Sequence, residues 1–87
     1  MRILISNLNR FTTASQLINL LIPFGLVSSA KIMMNARNGY SEGAALVEMD
    51  YKGGLIVISE LNNSRFMNYF IRVEETVPVK TANKFKD

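Results

Sequence analysis

Ser41-Glu42-Gly43-Ala44-Ala45-Leu46-Val47-Glu48-Met49 is the stretch on which the reading of this chain turns. Ala44 to Met49 reads as a strand. Successive side chains of a strand point to opposite faces, so Ala44 and Leu46 share one face, with Glu42 and Glu48 beside them. A turn-forming loop, Asn35 to Ser41 with Asn38-Gly39 inside it, comes before, and Asp50 offers a cap for a helix after.

Working outward, Met1 to Asn7 is a first strand and Asn7 to Phe11 a polar loop, with Thr12 or Thr13 as N-cap of a helix. Leu17, Leu20, Leu21 and Phe24 recur at helical spacing and lay one face on a core. Pro23 and Gly25 close that helix, and Pro23 is expected to strain its last turn, because it has no N–H for the Asn19 carbonyl. Ser28 to Met34 is a second strand, with Ala30, Ile32 and Met34 on one side and Lys31 and Met33 on the other.

Tyr51 to Leu61 is ambiguous. Gly53-Gly54 disfavours a helix, and Leu55-Ile56-Val57-Ile58 alone reads as a strand. Gly54, Val57, Ile58 and Leu61 nevertheless share one helical face, and Asn62-Asn63 makes a natural stop, so a helix is expected. Phe70 to Glu75 is the last strand, with Ile71 and Val73 facing one way and Arg72 and Glu74 the other. Pro78 discourages further pairing, and Thr81 to Asp87 is expected to be loose.

Strand-helix-strand-strand-helix-strand is the order of an α+β, ferredoxin-like split βαβ sandwich, with two helices on one face of a four-stranded antiparallel sheet. The expected division is one domain over residues 1–76, followed by a tail over 77–87 that is flexible or laid along the sheet. At 87 residues the chain supports a single core.

Ten Lys plus Arg against seven Asp plus Glu give a formal charge of +3, a mild bias toward an anionic partner. The chain has no Cys and no His, which removes disulfides, thiolate nucleophiles, imidazole acid–base chemistry and the usual zinc ligand sets. Neither a catalytic set nor a phosphate loop is present, so no enzyme activity, metal or cofactor is expected. Arg2 runs straight into Ile3-Leu4-Ile5 without a secretory pattern, and no apolar run approaches the roughly 20 residues that span a bilayer. A cytoplasmic location and no membrane are the expectation.

With that element order reached, the chain resembles the RNA-recognition motif family, and closely resembles its small single-domain bacterial members. Ile3-Leu4-Ile5-Ser6-Asn7-Leu8 is similar to the family hexamer. Thr12-Thr13, Leu17, Phe24-Gly25, Val27, Ile32, Leu61-Asn62 and Ile71-Arg72-Val73 follow at family spacing. Gly43, Ala45 and Val47 hold the glycine, small and aliphatic places of the family octamer. The resemblance implies single-stranded RNA as partner, stacked on rings at three places that fall here on Leu4, Ala44 and Leu46. None is aromatic, Met49 replaces a further ring, and Glu42 stands where a cation is usual. Three lost platforms at about 1–3 kcal/mol each remove on the order of 3–9 kcal/mol, so RNA binding is expected to be weak.

Leu4, Met33, Ala44 and Leu46 are expected to form an apolar strip on the open sheet face, with Lys31 and Arg72 available to phosphates. Arg2, Arg10, Arg37, Lys80, Lys84 and Lys86 form a diffuse basic fringe. The strip is open to other readings: tolerated surface apolarity, cover by Val77, Val79 or Phe85 of the tail, or contact with a protein. Ile18, Ile22, Leu26, Leu55 and Ile56 are a second anomaly, apolar side chains at outer helix positions. They point to a homodimer or a protein partner, or else to helices rotated so that some of the five join the core.

Overall fold

The computed structural model describes residues 1–77. Its elements are β1 (Arg2–Ser6), α1 (Ala14–Leu21), a 3-10 turn (Ile22–Phe24), β2 (Val27–Met34), β3 (Ser41–Met49), α2 (Tyr51–Leu61), β4 (Arg65–Phe66), β5 (Tyr69–Phe70) and β6 (Arg72–Glu75). β2, β3, β1 and β6 lie side by side in that order, every pair antiparallel. Fully buried Ile3, Ile5, Ala45, Val47 and Val73 from the sheet meet Leu17 and Leu21 of α1 and Val57 of α2. The architecture is the α+β ferredoxin-like sandwich, with one core between sheet and helices. The expectations for Pro78, Val79 and Thr81 to Asp87, and for cover of the sheet by Phe85, lie outside the described residues.

Thr13, not Thr12, caps α1. Its hydroxyl oxygen accepts the Gln16 N–H at 3.2 Å while Gln16 Oε1 accepts the Thr13 N–H at 2.9 Å, a reciprocal capping box. The helix ends at Leu21, two residues before Pro23, so the expected strain against Asn19 does not arise. Pro23 sits early in the 3-10 turn, where its missing N–H costs no bond, and the Gly25 N–H closes that turn on the Ile22 carbonyl at 3.2 Å.

α2 spans Tyr51–Leu61 as expected, and the packing explains its glycines. A Cβ on Gly53 would sit 2.5 Å from the Phe24 carbonyl oxygen and 3.1 Å from the Gly25 Cα. Backbone therefore packs on backbone, which offsets the roughly 1 kcal/mol a helical glycine costs against alanine. Asp50 holds the junction: Oδ2 accepts the Gly53 N–H at 2.9 Å and Oδ1 the Leu26 N–H at 2.8 Å. At the other end Asn62 Oδ1 accepts the Val73 N–H at 2.9 Å, tying the helix terminus to β6.

The strands depart from the sequence reading chiefly at three places. β3 begins at Ser41 rather than Ala44, because Gly43 adopts φ +72 and lets the strand bulge and continue. The β2–β3 pairing slips between Ile32 and Met34, where β3 carries two extra residues; Met34 stays on the side of Ala30 and Ile32 but is 55% exposed. The segment expected as one strand from Phe70 is divided. Phe70 pairs with Arg65 in a hairpin whose Met67-Asn68 turn has φ 50 and 71, a type I′ geometry, and β6 starts at Arg72.

Candidate nucleic-acid interface

Directly opposed residues of antiparallel strands share a face, so the register maps the side of the sheet away from the helices. Lys31 opposes Leu46, Leu46 opposes Leu4, and Leu4 opposes Glu74, one row across all four main strands. The neighbouring row runs from Ala44 through Ser6 to Arg72, and the row on the other side from Ser29 through Glu48 to Arg2. Leu4, Ala44 and Leu46 are thus brought together in two adjacent rows, each partly exposed. Met33 lies opposite the bulge of β3 at 37% exposure and has no direct partner there.

Lys31 and Arg72 are exposed on the two outermost strands. Three inter-strand spacings separate those strands, about 14 Å, so the two cations cannot grip one phosphate together. They bracket the apolar rows instead. Arg2 is not part of a free basic fringe: its guanidinium bonds Glu48 Oε2 at 2.8 Å, the one ion pair among the described residues. Arg37 is exposed in the β2–β3 loop, and Arg10 lies over two rings. Lys80, Lys84 and Lys86 fall outside the described residues, and Val77 is 73% exposed.

The outer apolar residues divide. Ile22, Leu26, Leu55 and Ile56 are 56%, 83%, 45% and 47% exposed, whereas Ile18 is only partly exposed on α1. Ile22 and Leu26 belong to the 3-10 turn and the segment after it, not to α1. Ile22 still follows α1, its N–H on the Ile18 carbonyl, whereas Leu26 lies beyond the 3-10 turn and off the helical course.

Rings that the sequence reading did not place among the binding residues lie outside the four-stranded sheet, on two loops and on the β4–β5 hairpin. Phe70 is 63% exposed in β5, just before the last strand, and its carbonyl accepts the Asn7 side-chain N–H at 2.8 Å. Phe11 and Tyr40 stand at 73% and 60% exposure on the loops after β1 and β2. Their signal was their placement in loops of polar and turn-forming residues, where no core can claim a ring.

The family profile described as RNA recognition motif matches residues 3–72, through both halves of this sheet. The chain belongs to the RNA recognition motif family. A crystal structure of an RNA-binding protein designated PG1 is 31% identical, with a TM-score of 0.87 over 92% of this chain and 98% of that one. RNA recognition domains 1 and 2 of Sex-lethal from Drosophila melanogaster match at 24% identity and TM-score 0.80, over 88% of this chain and 50% of that one. The Rna15 RNA recognition motif solved with bound RNA (GU) matches at 20% identity and TM-score 0.78, over 93% and 87%. The last two likenesses concern the fold. No curated protein matches the chain. Against the family pattern, this RNA recognition motif carries Leu4, Ala44 and Leu46 where stacking rings are usual, and the register places all three on the open face.

Proposed function

We propose that this RNA recognition motif binds single-stranded RNA weakly through its open sheet face. The observation that carries the reading is the register itself, which sets Leu46 beside Leu4 and Ala44 beside Ser6 between exposed Lys31 and Arg72. Bases rest on the aliphatic rows and Met33 by van der Waals contact. Lys31 and Arg72 contact separate phosphates, which position the strand without reading its sequence. The neighbour solved with bound RNA supports the choice of polymer. Affinity is held down by the missing π-faces and by Glu48 and Glu74 on the same face.

Titration of a labelled mixed-sequence oligonucleotide across a salt series tests this. Affinity is expected to fall as salt rises, and Arg72→Ala to reduce the magnitude of the log–log slope by about one. Absence of binding at low salt overturns the proposal.

A second reading, self-association, is favoured by the exposure of Ile22, Leu26, Leu55 and Ile56. Light scattering over a dilution series is expected to show a dimer that Ile22→Glu or Leu55→Glu converts to monomer. A monomer at every concentration removes it.

A further inference from the structure

The loop after β1 meets the loop between β2 and β3 in a concavity of about 350 Å³. Ile32 and Met34 contribute apolar walls, and Phe11 and Tyr40 stand beside them. The Arg10 guanidinium lies 5.5 Å from the Phe11 ring centroid and 5.1 Å from that of Tyr40, so one cation serves two π-faces. Arg10 takes part in no ion pair among the described residues.

Two exposed rings cost apolar exposure without giving the core anything, and both are held in place. The Phe11 N–H donates to Asn9 Oδ1 at 2.8 Å and the Thr12 N–H to the Asn9 carbonyl at 2.9 Å. Across the gap, the Tyr40 N–H donates to Asn38 Oδ1 at 2.9 Å, and the Tyr40 carbonyl accepts the Asn35 N–H at 2.8 Å. Backbone fastened on both sides lowers the ordering cost of engaging a ligand. Ser41 Oγ accepts the Gly43 N–H at 3.0 Å, which leaves its hydroxyl hydrogen free to donate into the space.

We infer that this cleft is a nucleobase site, in which a base of single-stranded RNA stacks on Phe11 or Tyr40 while Arg10 neutralises the adjoining phosphate. The volume falls within the range of about 300–1,000 Å³ typical of small-ligand pockets. π-faces beside a cation that makes no ion pair among the described residues, with a hydroxyl donor nearby, match a base attached to a phosphate better than an aliphatic side chain. The site supplies at the periphery the stacking that Leu4, Ala44 and Leu46 cannot supply on the sheet. It rests on the sheet-face reading only for the identity of the polymer.

The test is a nuclear magnetic resonance titration with adenosine monophosphate and, separately, ribose 5-phosphate, followed by oligonucleotide affinity of variants. Adenosine monophosphate is expected to move the resonances of Arg10, Phe11 and Tyr40, and ribose 5-phosphate to leave the ring signals in place. Phe11→Ala or Tyr40→Ala is expected to weaken oligonucleotide affinity by roughly 5- to 150-fold, the ratio one stacked base represents. Tyr40→Phe retains affinity, and Tyr51→Ala, an exposed ring on α2, leaves it unchanged.

Shifts confined to Leu4, Leu46 and their neighbours overturn the cleft and leave the sheet reading standing. Shifts confined to the cleft do the reverse. Equal ring shifts with both probes reduce the cleft to a phosphate contact and overturn it. Ring shifts with an aromatic peptide but not with the nucleotide assign the surface to protein, and overturn it as well.

Discussion

The Leu8 amide donates its hydrogen to the Gly43 carbonyl at 2.9 Å, so the loop that leaves β1 is fastened to the bulge of β3. Gly43 makes this approach at φ +72, and a Cβ there would stand 3.0 Å from the Leu8 carbonyl oxygen. The glycine place of the family octamer is thus occupied for steric reasons that do not involve a ligand.

Gly43→Ala is expected to destabilise the fold by about 1–3 kcal/mol through left-handed backbone strain, with added crowding against Leu8. Chemical denaturation measures it. A change within a few tenths of a kcal/mol would mean the bulge relaxes freely.

Asn62→Ala is expected to cost about 1–3 kcal/mol, because the Val73 N–H in the partly buried β6 loses its acceptor. Hydrogen exchange offers a sharper readout. The Val73 amide should lose protection before the rest of the sheet.

Asp50 carries a pH dependence. The Gly53 N–H, and after it the Leu26 N–H, stabilise its carboxylate and hold the pKa below the ordinary value, against a smaller opposing effect of desolvation. A group with a depressed folded pKa contributes stability above its unfolded pKa, about 3.9, and loses it as pH falls through the folded value. Thermal midpoints of the wild type should therefore decline below about pH 4. In Asp50→Asn that part of the decline is absent, and a parallel decline in both proteins would remove Asp50 as its source.

Leu46→Phe places a ring in the centre of the Lys31–Leu46–Leu4–Glu74 row. If the sheet face is where RNA lies, oligonucleotide affinity should rise by roughly 5- to 150-fold, the value of one new stacking platform. The position is partly exposed, so stability should change little. Unchanged affinity would place the RNA elsewhere.

Much of the fold was legible because local chemistry and tertiary packing agree. Asp50 caps α2, Val57 and Gly54 turn toward the core, and Asn62 stops the helix where the pattern said it would. Features that needed the third dimension were lost. Gly53 weakens a helix in isolation, and only the Phe24 backbone against it shows why it belongs there. Met67-Asn68 lacks the glycine that usually announces a type I′ turn, so no hairpin is legible there and its last residue, Phe70, reads as the start of the final strand. Met34 keeps the side that alternation gives it, but its exposure opposite the bulge of β3 is not something alternation can show.

For the candidate site, Leu4, Ala44 and Leu46 could be placed on one face from parity alone. The distance between Lys31 and Arg72 required the strand order, and the loss of Arg2 to Glu48 required the register. Arg10, Phe11 and Tyr40 come from loops some thirty positions apart, which no periodicity joins.

The irregularities of the β2–β3 pairing also bear on how the molecule meets its own kind. β2 is an outermost strand of eight residues, long enough to recruit a strand from another chain and begin an aggregate. Irregular pairing at Val27/Ser29 and again at Ile32/Met34 breaks the even ladder such recruitment needs, and Lys31 adds a charge between the two breaks. The opposite border, β6, has only four residues, three of them charged. Among the described residues, neither border offers a foreign strand a regular template, which works against fibril growth along the sheet edges.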